Sequence, residues 1–381
     1  MVKKRYDTII VGGGIAGLAC ARKLYEKKRS FMIISHDIGG RIITSKNKKV
    51  NYGAYLTSSY YNNFNKYIKL GRPVYPNKLE LHLGKKRFSI FNWYFVRYFG
   101  EAIRFYGLLY KFAKEYKKFR ELTQTISQKE AIEGNKFLHQ LYKQPAEELV
   151  KNHRIENIVR KVIAQPVYAI TFSSIRDGTA FPFLHACLLI HSNMHEFEFN
   201  FKKITKGFRK EIIHDEISSI KRKQEMYVLK GKNRRSYKAE NVVIATPINI
   251  SKRLLNLKKI NQSINCYMYH IEGMLKDKWC NEEFQLFCPN HNVAVIAHQK
   301  DGSFLVYSKK KANLSRYFKQ YKILFQKYWS PAFTVPGPIL LDCEQGGNLY
   351  MIGDYNICGL EDSFITGIYA ANCIIKKEEK K

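Results

Sequence analysis

The run Gly12-Gly13-Gly14-Ile15-Ala16-Gly17 sets three glycines at the spacing G-x-G-x-x-G. Gly12 permits a tight turn, Gly14 lets the backbone approach a pyrophosphate, and Gly17 allows close packing of helix on strand. The phosphates then rest on the positive end of the following helix, so the backbone at Ile15 and Ala16 belongs to the same candidate site. A second group, Gly39-Gly40-Arg41, brings the chain past a bound nucleotide and offers a guanidinium to the pyrophosphate. Gly53 and Ala54 follow a short way on. Near the other end, Gly353-Asp354 closes an apolar run, and Gly359 to Gly367 begins a helix. That arrangement supplies a carboxylate for sugar hydroxyls and free N–H groups for an electron-rich ring.

The elements that must hold these residues are readable from the pattern. Asp7 to Val11 is a β-branched run suited to a strand buried on both faces, and Phe31 to Ile34 is a second one. Between them Leu18 to Lys28 has helical spacing, so the chain opens with the βαβ unit of a dinucleotide-binding fold. Residues 88–122 read as one or two helices, and residues 137–200 as mainly helical with breaks at Pro145, Pro166, Gly178 and Pro182. Strands are expected at 212–221, 225–230 and 241–246, an antiparallel sheet over 265–310, and a helix from Phe318 to Trp329. Residues 348–375 read as strand, glycine turn and helix. The expected class is α/β: a Rossmann-like cofactor domain from residues 1–80, 201–255 and 336–381, interleaved with an α+β substrate domain. The substrate domain draws on 81–200, mainly helical, and 256–335, sheet plus helix.

Composition bounds the rest. The 381 residues are 45% hydrophobic and 25% charged, which is globular and excludes a disordered chain. Lys and Arg number 65 against 32 acids, a net charge of +33. Such a field favours an anionic partner, for which an anionic membrane surface, RNA and an acidic protein are the candidates; a lysine-rich coding bias is the plain alternative. The eight cysteines, Cys280 among them, contain no C-x-x-C pair, which argues against a zinc cluster and a disulfide framework. No secretory signal precedes the first strand and no run of 18 apolar residues occurs. The expected location is a reducing compartment such as the cytoplasm, peripheral to a membrane if the basic surface serves lipid. In the basic aromatic stretch from Phe91 to Leu122, Phe95, Tyr98, Phe99, Ala102, Tyr106, Leu109, Ala113 and Tyr116 recur at helical spacing, with Arg97, Arg104, Lys111 and Lys118 on another face. Two readings compete: a stripe packed on the substrate domain, or one laid on an anionic membrane.

Taken together, the three blocks resemble the flavin amine oxidase superfamily, which includes monoamine and polyamine oxidases, protoporphyrinogen oxidase and the phytoene desaturases. A middle piece, Asp215 to Pro247, shares the resemblance through Ile217, Ile220 and Val242-Val-Ile-Ala-Thr-Pro247. The resemblance implies non-covalent FAD. Gly12, Gly14, Ile15, Ala16 and Gly17 would hold the pyrophosphate beside Arg41, with Gly39 passing near the nucleotide and Gly40, Gly53 and Ala54 toward the flavin. Ile217 would meet the adenine, Asp354 the ribityl chain next to Gly353, and N–H groups near Ser363 and Phe364 the pyrimidine edge. Two departures stand out. The second strand ends in Ser35 where the family has a ribose-binding glutamate, leaving Ser35 or Asp37 for that task. Asp362 replaces a small residue and is expected to face solvent. The implied activity is an FAD-dependent oxidoreductase taking a hydride from an amine or an apolar, isoprenoid- or porphyrin-like molecule. The alternative is a non-catalytic flavin-binding subunit docking on RNA, membrane or an acidic partner. No catalytic residue is identified: Lys276 and Lys278 have only position to recommend them. His185, His191 and His195 lack the partners of a metal site, so no metal is expected.

Overall fold

Thr8–Gly13 (β1) is buried along nearly its whole length, as its unbroken β-branched run requires of a central parallel strand. In the computed structural model, which describes residues 6–47, 50–90, 92–279, 282–335 and 337–379, β1 pairs in parallel with Phe31–Ile38 (β2) on one side and Asn241–Ile244 on the other. Ile212–His214 and Leu349–Met351 complete a five-stranded sheet drawn from the two ends and the middle of the chain. Alternate residues serve opposite faces. Ile10, Ile33 and Val243 pack under the helices Ile15–Glu26 (α1) and Leu360–Glu378, while Ile9, Val11, Met32 and Val242 meet a three-stranded antiparallel sheet. Ile217 starts an outer strand of that small sheet, Ile217–Lys223.

Another small three-stranded sheet, over residues 56–74 and 194–199, packs Phe197 and Phe199 into the same core as α1, and most of the remainder forms a second core. A seven-stranded sheet carries the long strands Ser263–Leu275 and Phe318–Thr334, and helices cover it. Residues 318–329 are therefore strand, where helix was expected. Phe318, Tyr321, Phe325 and Tyr328 have helical spacing, but pairing along the length of Ser263–Leu275 overrides it. The helices Trp93–Arg97 (α2) and Phe99–Leu122 (α3) occupy the basic aromatic stretch. The inward face of α3 is Ala102, Phe105, Leu109, Phe112, Tyr116 and Phe119, so the stripe read from sequence divides: Phe99 and Tyr106 are exposed. Arg104 lies on the His153 and Arg154 carbonyls. His195 sits on the strand Met194–Phe199, apart from the helix Ala180–Ile190 that carries His185. Among the described residues no helix is long and apolar enough to cross a membrane and no group of three metal-binding side chains occurs. The seven described cysteines are free thiols; Cys280 and Phe91 lie outside the described residues.

Candidate cofactor and substrate site

The glycine turn follows from its sequence. Gly12 takes φ +113°, and a Cβ there would lie 2.5 Å from the Ala245 carbonyl oxygen. A Cβ at Gly17 would lie 2.1 Å from the Gly12 carbonyl oxygen, so α1 rests directly on the turn. Gly14 is different. It caps α1 with no side-chain hydrogen bond, and a Cβ built on it meets nothing within 4 Å. The first N–H groups of α1, at Ile15 and Ala16, thus point into an open cradle with the positive end of the helix behind them. A pyrophosphate fits this cradle.

Around it, Gly39 donates its N–H to the Gly13 carbonyl at 2.8 Å, bringing Gly40 beside Gly14. Ser35 is used internally: its hydroxyl accepts the Gly13 N–H at 2.9 Å and donates to the Asp37 carbonyl at 2.6 Å. The Asp37 carboxylate is exposed and meets His36. The shortened loop after β2 therefore closes on itself, and Ser35 braces the turn.

Arg41 reaches across the fold to Asp354, 313 positions away, with Nη1 and Nη2 at 2.7 and 2.8 Å from the two carboxylate oxygens. Nη1 also donates to the Ala332 carbonyl at 2.7 Å. Three of the five guanidinium donors are thus engaged and two remain for an anion. Burial works against both charges, but the pairing outweighs it, holding Asp354 below the usual carboxylate range and Arg41 above its own. Gly53 and Ala54 lie against the Arg41 backbone, Ala54 N–H donating to its carbonyl at 3.2 Å. Gly353, open on its side-chain face, donates to Thr366 Oγ1 at 3.0 Å.

At the start of the last helix, Ser363 N–H donates to the Gly359 carbonyl, so the free N–H groups there belong to Leu360, Glu361 and Asp362. Ser363 and Phe364 are buried, Phe364 stacked on Tyr67. Asp362 does not face solvent. It is buried, accepts the Tyr116 hydroxyl at 2.5 Å, and lies 3.7 Å from His185 Nε2. Because Tyr116 donates to Asp362, the 3.1 Å contact from His185 Nε2 to the same hydroxyl makes His185 the donor. Burial, the largest influence, lowers the His185 pKa against the opposing pull of Asp362. Glu361, also buried, accepts the N–H groups of Asn63 and Phe64 and so ties that loop to the helix.

An apolar cavity adjoins this end. Val167, Ile170, Phe183 and Leu189 line it from two helices, with His185 and Cys358. Phe333 and Val335 close it from the long strand and its exit. The same segment faces the other way with its backbone: the Ala332 carbonyl accepts from Arg41 and the Thr334 N–H donates to Asp354 at 3.4 Å. One stretch of chain therefore touches both the Arg41–Asp354 pair and the cavity. Sequence reasoning missed residues 332–335, which carry no motif; Tyr116 and His185 were read only as a helical stripe and a rejected metal set.

The chain matches the model of the NAD(P)-binding Rossmann-like domain over residues 10–69. It is 37% identical over 62 residues to the flavin-containing amine oxidase A of Equus caballus, a match spanning 15% of this chain and 12% of that protein. Solved structures resemble it over almost its whole length. A putrescine oxidase solved with putrescine bound has a TM-score of 0.69 at 12% identity, covering 98% of this chain and 99% of its own. A candidate protoporphyrinogen oxidase from Exiguobacterium sp. 255-15 has a TM-score of 0.65 at 13% identity over both full chains.

Proposed function

We propose, from the premise that this chain has the fold and N-terminal sequence signature of the flavin amine oxidase superfamily, that it is an FAD-dependent oxidoreductase. Its substrate would be a small amine or an apolar molecule. A flavin is the cofactor this family implies, and when bound it would supply the hydride acceptor. The α1 cradle at Gly14, Ile15 and Ala16 would carry the pyrophosphate with the two remaining donors of Arg41. Asp354, held ionised by Arg41, would accept from the sugar chain. The free N–H groups of Leu360 to Asp362 would face the ring's electron-rich edge.

One observation supports this reading most: residues 332–335 touch the Arg41–Asp354 pair with their backbone and line the apolar cavity with Phe333 and Val335. A substrate in that cavity would sit beside the cofactor in a dry pocket, which is what hydride removal requires of the protein. FAD would be held without a covalent bond. Under anaerobic conditions, titration with candidate amines and hydrophobic substrates should bleach the visible flavin absorption. A Phe333→Trp variant, which fills the cavity, should bind FAD normally yet bleach slowly. Equal bleaching rates in variant and wild type would remove the cavity from the reading.

A further inference from the structure

A helix at a protein surface ordinarily shows one apolar face, turned inward. α3 shows two. Opposite its buried row, Phe99, Ile103, Tyr106 and Tyr110 follow at intervals of four, three and four residues, exposed by 65, 58, 41 and 75%. Just before it, α2 presents Trp93 and Val96, exposed by 70 and 63%. Large apolar side chains gathered this densely in the open mark an interaction surface. Along the same outward face the next two turns of α3 carry Lys114 and Lys117, with Lys111 and Lys118 beside them, all exposed. Of the acids on α3, Glu101 is engaged by the Asn157 and Ile158 N–H groups and Glu115 by Lys118 and Asn135, while Glu121 lies exposed one turn beyond Lys117, at the far end of the lysine row.

We infer that the outward face of α2 and α3 docks on an anionic lipid bilayer, the aromatic and aliphatic row entering the acyl boundary and the lysines meeting headgroup phosphates. The charge selects this occupant. Two copies of a chain carrying +33 repel one another, whereas a bilayer with acidic headgroups attracts the lysines and accepts the apolar row, with the Tyr110 hydroxyl at the interface while that of Tyr106 stays on His191.

Co-sedimentation of the full chain with phosphatidylcholine vesicles, with and without phosphatidylserine, tests this. The wild type should bind the serine-containing vesicles, less at high salt but with a residue that salt does not remove. Lys114→Gln and Lys117→Gln should each weaken low-salt binding by about fivefold. The double variant Phe99→Asp/Ile103→Asp alters exposed positions only and should melt as the wild type does, yet lose the salt-resistant part. Brominated lipid should quench Trp93 fluorescence, a loss absent from Trp93→Phe. The proposal falls if the wild type ignores the vesicles, if the aspartate variant binds them equally, or if the chain binds RNA in their place.

Discussion

Replacing Gly14 by alanine separates binding from folding at one atom. Gly14 has φ −72° and ψ 179°, which alanine adopts without strain, and the added methyl meets nothing within 4 Å. Removing glycine from the unfolded chain then leaves the apoprotein as stable as before, or stabilises it by about 0.4–1 kcal/mol. The methyl nevertheless enters the cradle in front of the first α1 N–H groups. Hydrogen bonds from these to a charged phosphate contribute about 1.5–3 kcal/mol, so displacing the phosphate should weaken FAD binding about ten- to a hundredfold. Gly17→Ala is the control, since its Cβ would overlap the Gly12 carbonyl and should destabilise the fold by about 1–3 kcal/mol. Denaturant melts of apoprotein and a flavin-fluorescence titration read both quantities. Unchanged FAD affinity in a stable Gly14→Ala protein would refute the assignment of the cradle.

Asp354→Asn should leave Arg41 facing a neutral partner. Losing one member of a buried pair costs about 3–5 kcal/mol, and the 35% exposure of Arg41 reduces this to about 2–4; an unaltered denaturation midpoint would contradict the pairing. Because the folded Asp354 pKa lies below the unfolded one, its contribution is present above about pH 4 and lost as pH falls further, so the wild type should lose its advantage over Asp354→Asn in acid. His82, His185, His191, His270 and His291 all have pKa values lowered first by burial. Their unfolded forms take up protons first as pH falls through about 6.5, so thermal midpoints should drop from pH 7.5 toward pH 5, and a flat profile would count against their burial. Acid precipitation should release all flavin into the supernatant; colour retained in the pellet would show a covalent link.

What could be read from sequence was local. β1, α1 and β2 are specified by adjacent residues: a β-branched run, a glycine turn and a 3.6-residue repeat. The cradle at Gly14 belongs to that unit and was legible with it. The partnership of Arg41 with Asp354 was not, because it depends on the last strand of the parallel sheet ending beside the loop after β2. Both residues were singled out for a ligand, yet their contact with each other is tertiary. Asp362 was misplaced for a similar reason: the approach of Tyr116 and Arg120 from one helix and of His185 from another makes a buried acid tolerable there. In α3 the periodicity was correctly helical, but two apolar faces cannot be told apart by spacing alone. Which one turns inward was decided by the helices packed beneath it.

The central claim, that this chain binds FAD and passes a substrate's electrons to it, is tested most directly by the visible spectrum of the protein purified and reconstituted with FAD. The account predicts the absorption of an oxidised flavin that stays with the protein through gel filtration and is bleached by a substrate seated in the Phe333 cavity. A colourless protein that takes up no FAD on reconstitution would contradict it.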